Sequence, residues 1–327
     1  MINELPLIDL SAVEDSWAYI PERLVDEVAE ACEHTGFMLI TGHGVPHGLV
    51  ADLRRDLREY FAQPLEQKLR HKIRRDNYRG YIPLGFFSPN VGGLAADCYE
   101  GYKLHREVGA QDPVRKLCEL YGPNIWPAYP AELRGDLITY WQACDHISVV
   151  LLRALAIAMG ISSEDFLGLF EQALTNMTLL HYPATDKAVG IHPHKDTDAL
   201  TILAPDPVGG LRLRLKGRGE WLEVNSPPEA LVVNIGDLLE CWSGGRFVST
   251  PHKVENRSGQ SRYSFPYFCV PSHDVVVRPL ITPQAGFSRE AVPVGDVSRA
   301  VWQSNWLDAK PEPGKYQLGT LENTSAN

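Results

Sequence analysis

The sequence predicts an α+β protein with a mainly β core of sandwich or jelly-roll type, capped by N-terminal helices. Three observations predict it. Between residues 21 and 72, apolar residues recur at helical spacing between turn signals. Residues 132–159 read as one long helix. After residue 176 the pattern changes to eight short strand candidates in about a hundred residues, separated by VGG, KGRG, SGG and NRSG.

LPLIDL (5–10) reads as a short strand. The segment 21–35 opens with Pro21, which suits the start of a helix, and Leu24, Val25, Val28, Ala31 and Cys32 then share one side. Gly36 stops that helix, and FMLITGHG is an apolar strand running into a Gly-rich turn. Residues 46–62 form a second amphipathic helix with Leu49, Leu53, Leu57 and Phe61 on one stripe, and 64–72 a short third one. Asn77 to Gly93, rich in Gly, Pro and aromatic residues, reads as an ordered loop. The long helix carries Leu133, Leu137, Trp141, Val149, Leu152 and Leu155, and Glu164–Phe170 is another helical piece. The strands follow in TLLHYPA, ALTILAP, LRLRLKG, WLEVN, ALVVNIGD, RFVSTPHKV, RYSFPYFCV and DVVVRPL. PEPGKYQLGTLENTSAN is a polar tail. The expected division is 1–120 for the N-terminal helix and strand region, 121–300 for the β core with its long supporting helix, and 301–327 for the C-terminal segment.

Composition narrows the function classes. The 327 residues are 44% hydrophobic and 22% charged, ordinary for a globular chain, and the net charge of −10 opposes a phosphate backbone. No nucleic-acid partner is expected. The longest apolar stretch, Ile147 to Ile161, has 15 residues and contains Arg153, short of the roughly 20 that a membrane span needs, so no membrane partner is expected either. The first residues lack the features of a signal peptide, and the six cysteines form no CxxC. Reduced thiols in a cytoplasmic enzyme are the expectation.

Metal-ligand residue types concentrate in GIHPHKDTDALTIL (190–203). Residues two apart on a strand share a face, so His194 and Asp196 can offer a nitrogen and an oxygen to one ion. His192 shares that face and competes with His194. His252, 58 residues after His194, is the third candidate. Two His and one carboxylate leave coordination positions open, as in non-haem Fe(II) oxygenases; a hydrolytic zinc site is the rival reading. Ten residues beyond His252, Arg262 and Ser264 alternate on one face. A guanidinium and a hydroxyl so placed can clamp a carboxylate, the far end of a diacid held by the metal.

The ordered set LPLIDLS, HTGFMLITGHGVP, FAQPLEQK, RGY, LLHYPA, HKDTDALTIL, GGLRL, VVNIGDLLECWSGGRFVSTPHKV and RYSFPYF resembles the isopenicillin N synthase-like branch of Fe(II)/2-oxoglutarate-dependent dioxygenases over nearly the whole chain. The resemblance implies a double-stranded β-helix, or jelly roll, with a helical N-terminal cap. It implies Fe(II) on His194, Asp196 and His252, and 2-oxoglutarate on Arg262, Ser264 and Tyr182. It also implies O2 as oxidant, with ascorbate as a possible reductant. A small organic metabolite would be hydroxylated, desaturated or cyclised while succinate and CO2 are released. Oxidases of the same fold that do not use 2-oxoglutarate, and a non-catalytic small-molecule sensor, are the alternatives. The chain departs from the pattern at Lys195, expected to point away from the metal as a surface charge or a supporting charge behind the ligands, at Asp198 where Gly is common, and at Leu180 where many plant members carry Asn.

Thr178, Leu180 and Phe268 line the substrate pocket if their face is the barrel interior, with plain core packing as the alternative; in the preceding loop, which also holds Tyr78, the residues Arg79, Tyr81, Phe86 and Phe87 form a lid over it or, for RGY, a structural turn. Trp302 and Trp306 are expected to close the pocket or pack on the barrel. Such a mostly apolar lining suits a mid-sized metabolite of secondary or catabolic metabolism better than a highly charged one.

Overall fold

The structure is a computed structural model that describes residues 4–13, 19–87, 97–185 and 189–306. The polar tail at 311–327 and the end of the aromatic loop beyond Phe87 lie outside the described residues.

The N-terminal region contains β1 (Leu7–Asp9), α1 (Glu22–His34), β2 (Phe37–Thr41), α2 (Leu49–Phe61), α3 (Leu65–Leu69), β3 (Gly80–Ile82), β4 (Glu100–His105) and α4 (Val114–Leu117). The long helix α5 (Leu133–Met159) and α6 (Ser163–Gly168) follow. The core strands are β5 (Asn176–Tyr182), β6 (Val189–His194), β7 (Leu200–Leu203), β8 (Leu211–Leu213), β9 (Leu222–Glu223), β10 (Leu231–Ile235), β11 (His252–Glu255), β12 (Arg262–Ser264) and β13 (Tyr267–Cys269), with α7 (Asp237–Trp242) after β10. The hairpin of β14 (Val276–Val277) and β15 (Val292–Pro293) leads into α8 (Val294–Ser304).

The strands build two main sheets. The large one runs β1-β2-β10-β7-β13-β5-β4-β3, with β12 also on β5; the small one runs β6-β11-β8-β9. From β5 to β12 the chain steps back and forth between the two sheets, which is the jelly-roll connection expected. The N-terminal region is more than a cap, because β1 to β4 extend both edges of the large sheet. β3 and β4 are strands where the sequence suggested loop or no element. β3 is only three residues long, and Gly101 and Lys103 dilute the strand signal of β4.

Strand alternation separates the two faces of the large sheet. Met38, Ile40, Met177, Leu179, Leu200, Ile202, Val233 and Ile235 point outward into the core formed with α1, α2 and α5. Phe37, Leu39, Leu180, Tyr182, Leu203 and Val232 point inward and meet Leu211, Leu213 and Val254 of the small sheet. By length and composition alone α5 could cross a membrane, contrary to expectation. Its apolarity has a local cause: Leu137, Tyr140, Cys144, Ile147, Leu151 and Leu155 are buried in the outer core. Gly36 makes the tight passage from α1 to β2 possible. Its φ is +64°, and a Cβ there would lie 2.0 Å from the Val248 carbonyl oxygen.

Glu100 ties the β3–β4 edge to the rest. Its carboxylate accepts hydrogen bonds from Lys68 Nζ at 2.7 Å, Tyr81 Oη at 2.5 Å and His181 Nδ1 at 2.8 Å. Lys68 also donates to the Phe61 carbonyl at 2.8 Å, so α2, α3, β3, β4 and β5 meet at one buried carboxylate. Burial acts to raise the pKa of Glu100, but these donors hold it below the usual glutamate value. Its contribution to stability is therefore present above about 4.5 and is lost as pH falls through the lower folded-state value. Glu100→Ala leaves Lys68 buried without a counter-charge and is expected to cost about 3 kcal/mol or more in urea unfolding. The double variant Lys68→Met/Glu100→Leu should recover most of it, and Glu100→Gln should flatten the acid limb. A loss below about 1 kcal/mol in Glu100→Ala would contradict this role.

Candidate functional site

β6 and β11 run antiparallel in the small sheet, and His252 lies directly opposite His194. The two ring centroids are 4.3 Å apart. β6 is an edge strand, which accommodates Pro193 between the two histidines of HPH. The strand ends at His194, so Asp196 is not one pleat further on, as the sequence suggested, but in the loop that leaves the strand. That loop is pinned to α7: Asp237 N donates to the Asp196 carbonyl at 2.8 Å, and Leu238 N to the Asp198 carbonyl at 3.0 Å. Gly236 permits the approach, since a Cβ there would sit 2.1 Å from an Asp198 carboxylate oxygen.

The result is a convergent donor set. Asp196 Oδ1 lies 3.6 Å from His194 Nε2 and 3.6 Å from His252 Nε2. The remaining polar atoms of the three side chains are engaged elsewhere. His194 Nδ1 donates to the His192 carbonyl at 2.8 Å, and His252 Nδ1 to the Thr250 carbonyl at 3.2 Å. Asp196 Oδ2 accepts from Thr201 Oγ1 at 2.6 Å and Asn234 Nδ2 at 2.8 Å. These contacts set both imidazoles in the tautomer whose Nε2 lone pair is free, and leave one carboxylate oxygen free between them. Three such atoms could hold a divalent metal. Burial alone would raise the Asp196 pKa; the His252 and His194 imidazoles and the Thr201 hydroxyl hold it well below the usual aspartate value. Phe37 packs its ring edge-on at 5.5 Å from His252.

The competing ligand His192 is engaged by Asp97, its Nδ1 2.7 Å from the carboxylate. Of the two places open to Lys195, the surface or a supporting charge behind the donors, it takes the second. Its ammonium lies 3.6 Å from Glu240 and 3.8 Å from Asp237, in a largely buried cluster that Arg289 also enters. The charge is directed away from the three donors and secures the loop between β6 and β7 to α7.

Arg262 and Ser264 on β12 face Tyr182 and Leu180 of β5. Arg262 is 1% exposed. Its Nε donates to the Gly209 carbonyl at 2.8 Å, and its guanidinium stands 4.9 Å over the Tyr182 ring. Nη1 is buried without a hydrogen-bond partner. An unmatched guanidinium donor inside a barrel is costly and suits an anionic ligand group.

The inner face of the large sheet continues from Asp196 as a row of register partners. Asn234 pairs with Thr201, Thr201 with Phe268, Phe268 with Asn176 and Asn176 with His105. Lys103, two residues from His105, pairs with Thr178. Phe268, Thr178, Asn176 and Lys103 are all partly open, so this is the accessible stretch of the inner face that continues from Thr201 and Asp196. The lining is more polar than the sequence suggested. Lys103 Nζ donates to Asn176 Oδ1 at 2.6 Å and Thr178 Oγ1 at 2.8 Å, and stands 5.2 Å from the Phe268 ring centroid. Burial and the Arg79 charge lower its pKa to about 7. Leu180, for which the sequence leaves pocket lining and core packing open, is buried in the inner apolar cluster near Tyr182.

Arg79 takes the structural place left open for it beside the lid reading. It is 1% exposed, donates to the Leu120 carbonyl at 2.6 Å and to Asn77 Oδ1 at 3.2 Å, and lies 5.7 Å from the Trp302 ring. Trp302 stacks on Tyr78 at 4.9 Å, and Trp306 packs on Phe86 and Phe87. The aromatic loop and the chain end at α8 thus form one packed wall.

Sequence reading missed Thr201, Asn234, Asn176 and Lys103. Asn234 had a signal, a lone amide in the apolar run LVVNI. Lys103 had none, because its strand was not recognised.

A family model for the non-haem dioxygenase in morphine synthesis N-terminal region matches residues 5–129, and one for the 2OG-Fe(II) oxygenase superfamily matches residues 174–271. The 2-oxoglutarate-Fe(II) type oxidoreductase hxnY of Emericella nidulans is 33% identical over 274 residues, covering 80% of this chain and 78% of that protein. The 2-oxoglutarate-dependent dioxygenase thnC of Trichoderma harzianum is 30% identical over 80% of this chain and 82% of its own length. In fold, a full-length Neurospora crassa protein solved in complex with alpha-KG superposes with a TM-score of 0.76 at 24% identity, covering 91% of this chain and 95% of that one.

Asn234→Ala removes one of the two side-chain donors that hold Asp196. It is expected to weaken binding of Co(II), used as a divalent probe in calorimetry, by about 10- to 100-fold without loss of the fold. Unchanged Co(II) affinity would show that Asp196 is not set by this contact.

Proposed function

The chain belongs to the 2OG-Fe(II) oxygenase superfamily, and on that premise we propose which of its residues perform the superfamily's chemistry. The protein is an Fe(II)/2-oxoglutarate-dependent dioxygenase that oxidises a small organic metabolite. In our reading His194, Asp196 and His252 hold the iron. The observation that carries this is the pair of 3.6 Å separations around Asp196 Oδ1, with every other polar atom of the three side chains already engaged. Bound iron supplies the redox chemistry by which O2 oxidatively decarboxylates 2-oxoglutarate to succinate and CO2 and oxidises a substrate C–H bond.

The protein's own side chains bind, orient and exclude water. Arg262 and Ser264, with Tyr182 beneath the guanidinium, take the far carboxylate of 2-oxoglutarate. The unpartnered Nη1 supports this, as does the fixed position given by Gly209 and the Tyr182 ring. The inner cluster around Phe37, Leu39 and Leu180 keeps the space between clamp and donors dry. Thr178 and Phe268 belong to the substrate recess in this reading; Leu180 packs behind the cosubstrate and Arg79 braces the outer wall. A cytoplasmic location is part of the reading, supported by six unpaired cysteines. So is a lack of nucleic-acid partners, supported by the net charge of −10.

Anaerobic titration of the Fe(II) protein with 2-oxoglutarate is expected to give a weak visible charge-transfer band. His194→Ala and Asp196→Ala should abolish the band and turnover while circular dichroism is unchanged. Arg262→Met should weaken 2-oxoglutarate binding by roughly 10- to 100-fold, the worth of a charge-assisted contact. Full activity in either ligand variant, or an unaltered 2-oxoglutarate affinity in Arg262→Met, would overturn the assignment.

A further inference from the structure

Lys103 is a half-buried cation without a paired carboxylate. Its ammonium is bonded to two neutral acceptors, Asn176 Oδ1 and Thr178 Oγ1, and among the described residues no carboxylate pairs with it. A lysine held on a mid-sheet strand, facing the barrel interior, ordinarily carries a partner acid. Lys68, which meets the opposite face of β4, has one in Glu100. Its surroundings are mixed: Asp198 and Asp196 favour its charge from a distance, while positive side chains lie nearer the recess. Arg79 lies close enough to disfavour the charged Lys103, and its Nε is itself buried without a partner. His105, one pleat away on β4, has both ring nitrogens buried and unpartnered, and its ring meets Trp302 at 5.3 Å. One recess thus gathers Lys103, an unmatched His105 and the inner edge of Arg79, while its open side is walled by Phe268, Asn176 and Thr178.

We infer that Lys103 anchors the substrate, and that the substrate is a small organic acid whose carboxylate docks on Lys103 in the recess over Phe268. This deepens the function proposed above and rests on it. In the loaded site the charge of Fe(II) is offset by Asp196 and one carboxylate of 2-oxoglutarate, and Arg262 by the other. Lys103, the cation that reaches the open side of the recess, still has no carboxylate paired with it, and a monocarboxylate matches it. The placement also sets the reach. Lys103 Nζ stands over Phe268, and the strand next to Phe268 carries Thr201, the hydrogen-bond donor to Asp196. With strands about 4.8 Å apart, the carboxylate sits roughly 5–10 Å from the metal-facing atoms. The oxidised carbon is then several bonds from the carboxylate, and the body between them lies against the Phe268 ring.

The test uses matched acid and amide probes: phenylacetate, 3-phenylpropionate and cyclohexanecarboxylate, each against its primary amide. Binding to the Fe(II) protein is measured anaerobically by calorimetry with saturating 2-oxoglutarate, so that Arg262 is occupied and no turnover occurs. The acids of the panel are expected to bind about 10- to 100-fold more tightly than their amides. The preference should disappear in Lys103→Met and survive in Lys103→Arg. Lys103→Gln, neutral but still polar, is the second variant should the methionine form fail to fold. Equal binding of acids and amides by the unmodified protein, a preference that persists in the neutral variants, or no binding of any acid would each overturn the inference. The 2-oxoglutarate charge-transfer band of the unmodified protein is read in parallel. With the band present, a missing acid preference refutes the anchor alone; a missing band refutes the metal and cosubstrate assignment beneath it.

Discussion

One buried carboxylate governs the arrangement of this molecule. Asp196 must stay charged with one oxygen free, and burial opposes both conditions. The fold meets them by surrounding it with the His194 and His252 imidazoles and with the Thr201 and Asn234 donors. Each of those neighbours comes from a different strand, so the site exists only when β6, β7, β10 and β11 are in register. A one-residue slip of any of them turns the relevant side chain to the opposite face. The loop that carries Asp196 has no strand ladder of its own and depends on α7 and on the bare backbone of Gly236.

The same alternation that builds the two cores distributes the chemistry. Odd and even positions of β5 show it: Met177 and Leu179 enter the outer core, whereas Thr178, Leu180 and Tyr182 face the barrel interior. Along that inner face the character changes in steps. Tyr182, Leu180 and the clamp residues Arg262 and Ser264 occupy one end. Thr178, Asn176, Phe268 and Lys103 occupy the end beside the three donors. In the reading proposed above, cosubstrate and substrate take opposite ends of one strand face, with the donors of His194, Asp196 and His252 between them. The rigid outer core and the Glu100 junction hold β4 in place, and with it Lys103.

Much of this was legible in the sequence. The helices α1, α2 and α5 and most core strands follow from apolar spacing, because packing and periodicity agree there. His194, Asp196 and His252 were legible from their chemistry and order, although the strand argument behind Asp196 was incorrect: the chain leaves the strand at His194, and a turn brings the carboxylate back. Arg262 and Ser264 were legible because their strand is regular. What escaped were residues whose role depends on contacts between strands distant in sequence. β3 and β4 are short and carry Gly and Lys, so the pairing of β4 with β5 and of β3 with β4 decides their state rather than their own composition. Lys103, His105 and the polar character of the recess went unseen with them. For Arg79 the sequence left a lid and a structural turn open; only the contacts with Asn77, Leu120 and Trp302, distant in sequence or made by folding, select the enclosed place.

The central claim is that three side chains, and no others, form the metal centre, with 2-oxoglutarate extending from it to Arg262. A crystal structure of the anaerobically prepared Fe(II) protein with 2-oxoglutarate, with the metal located by anomalous scattering at the iron edge, tests it most directly. The account predicts one iron peak within roughly 2.0–2.2 Å of His194 Nε2, Asp196 Oδ1 and His252 Nε2, and the far carboxylate of 2-oxoglutarate paired with Arg262 and Ser264. An iron peak at His192 and Asp97, or a 2-oxoglutarate that does not reach Arg262, would contradict it.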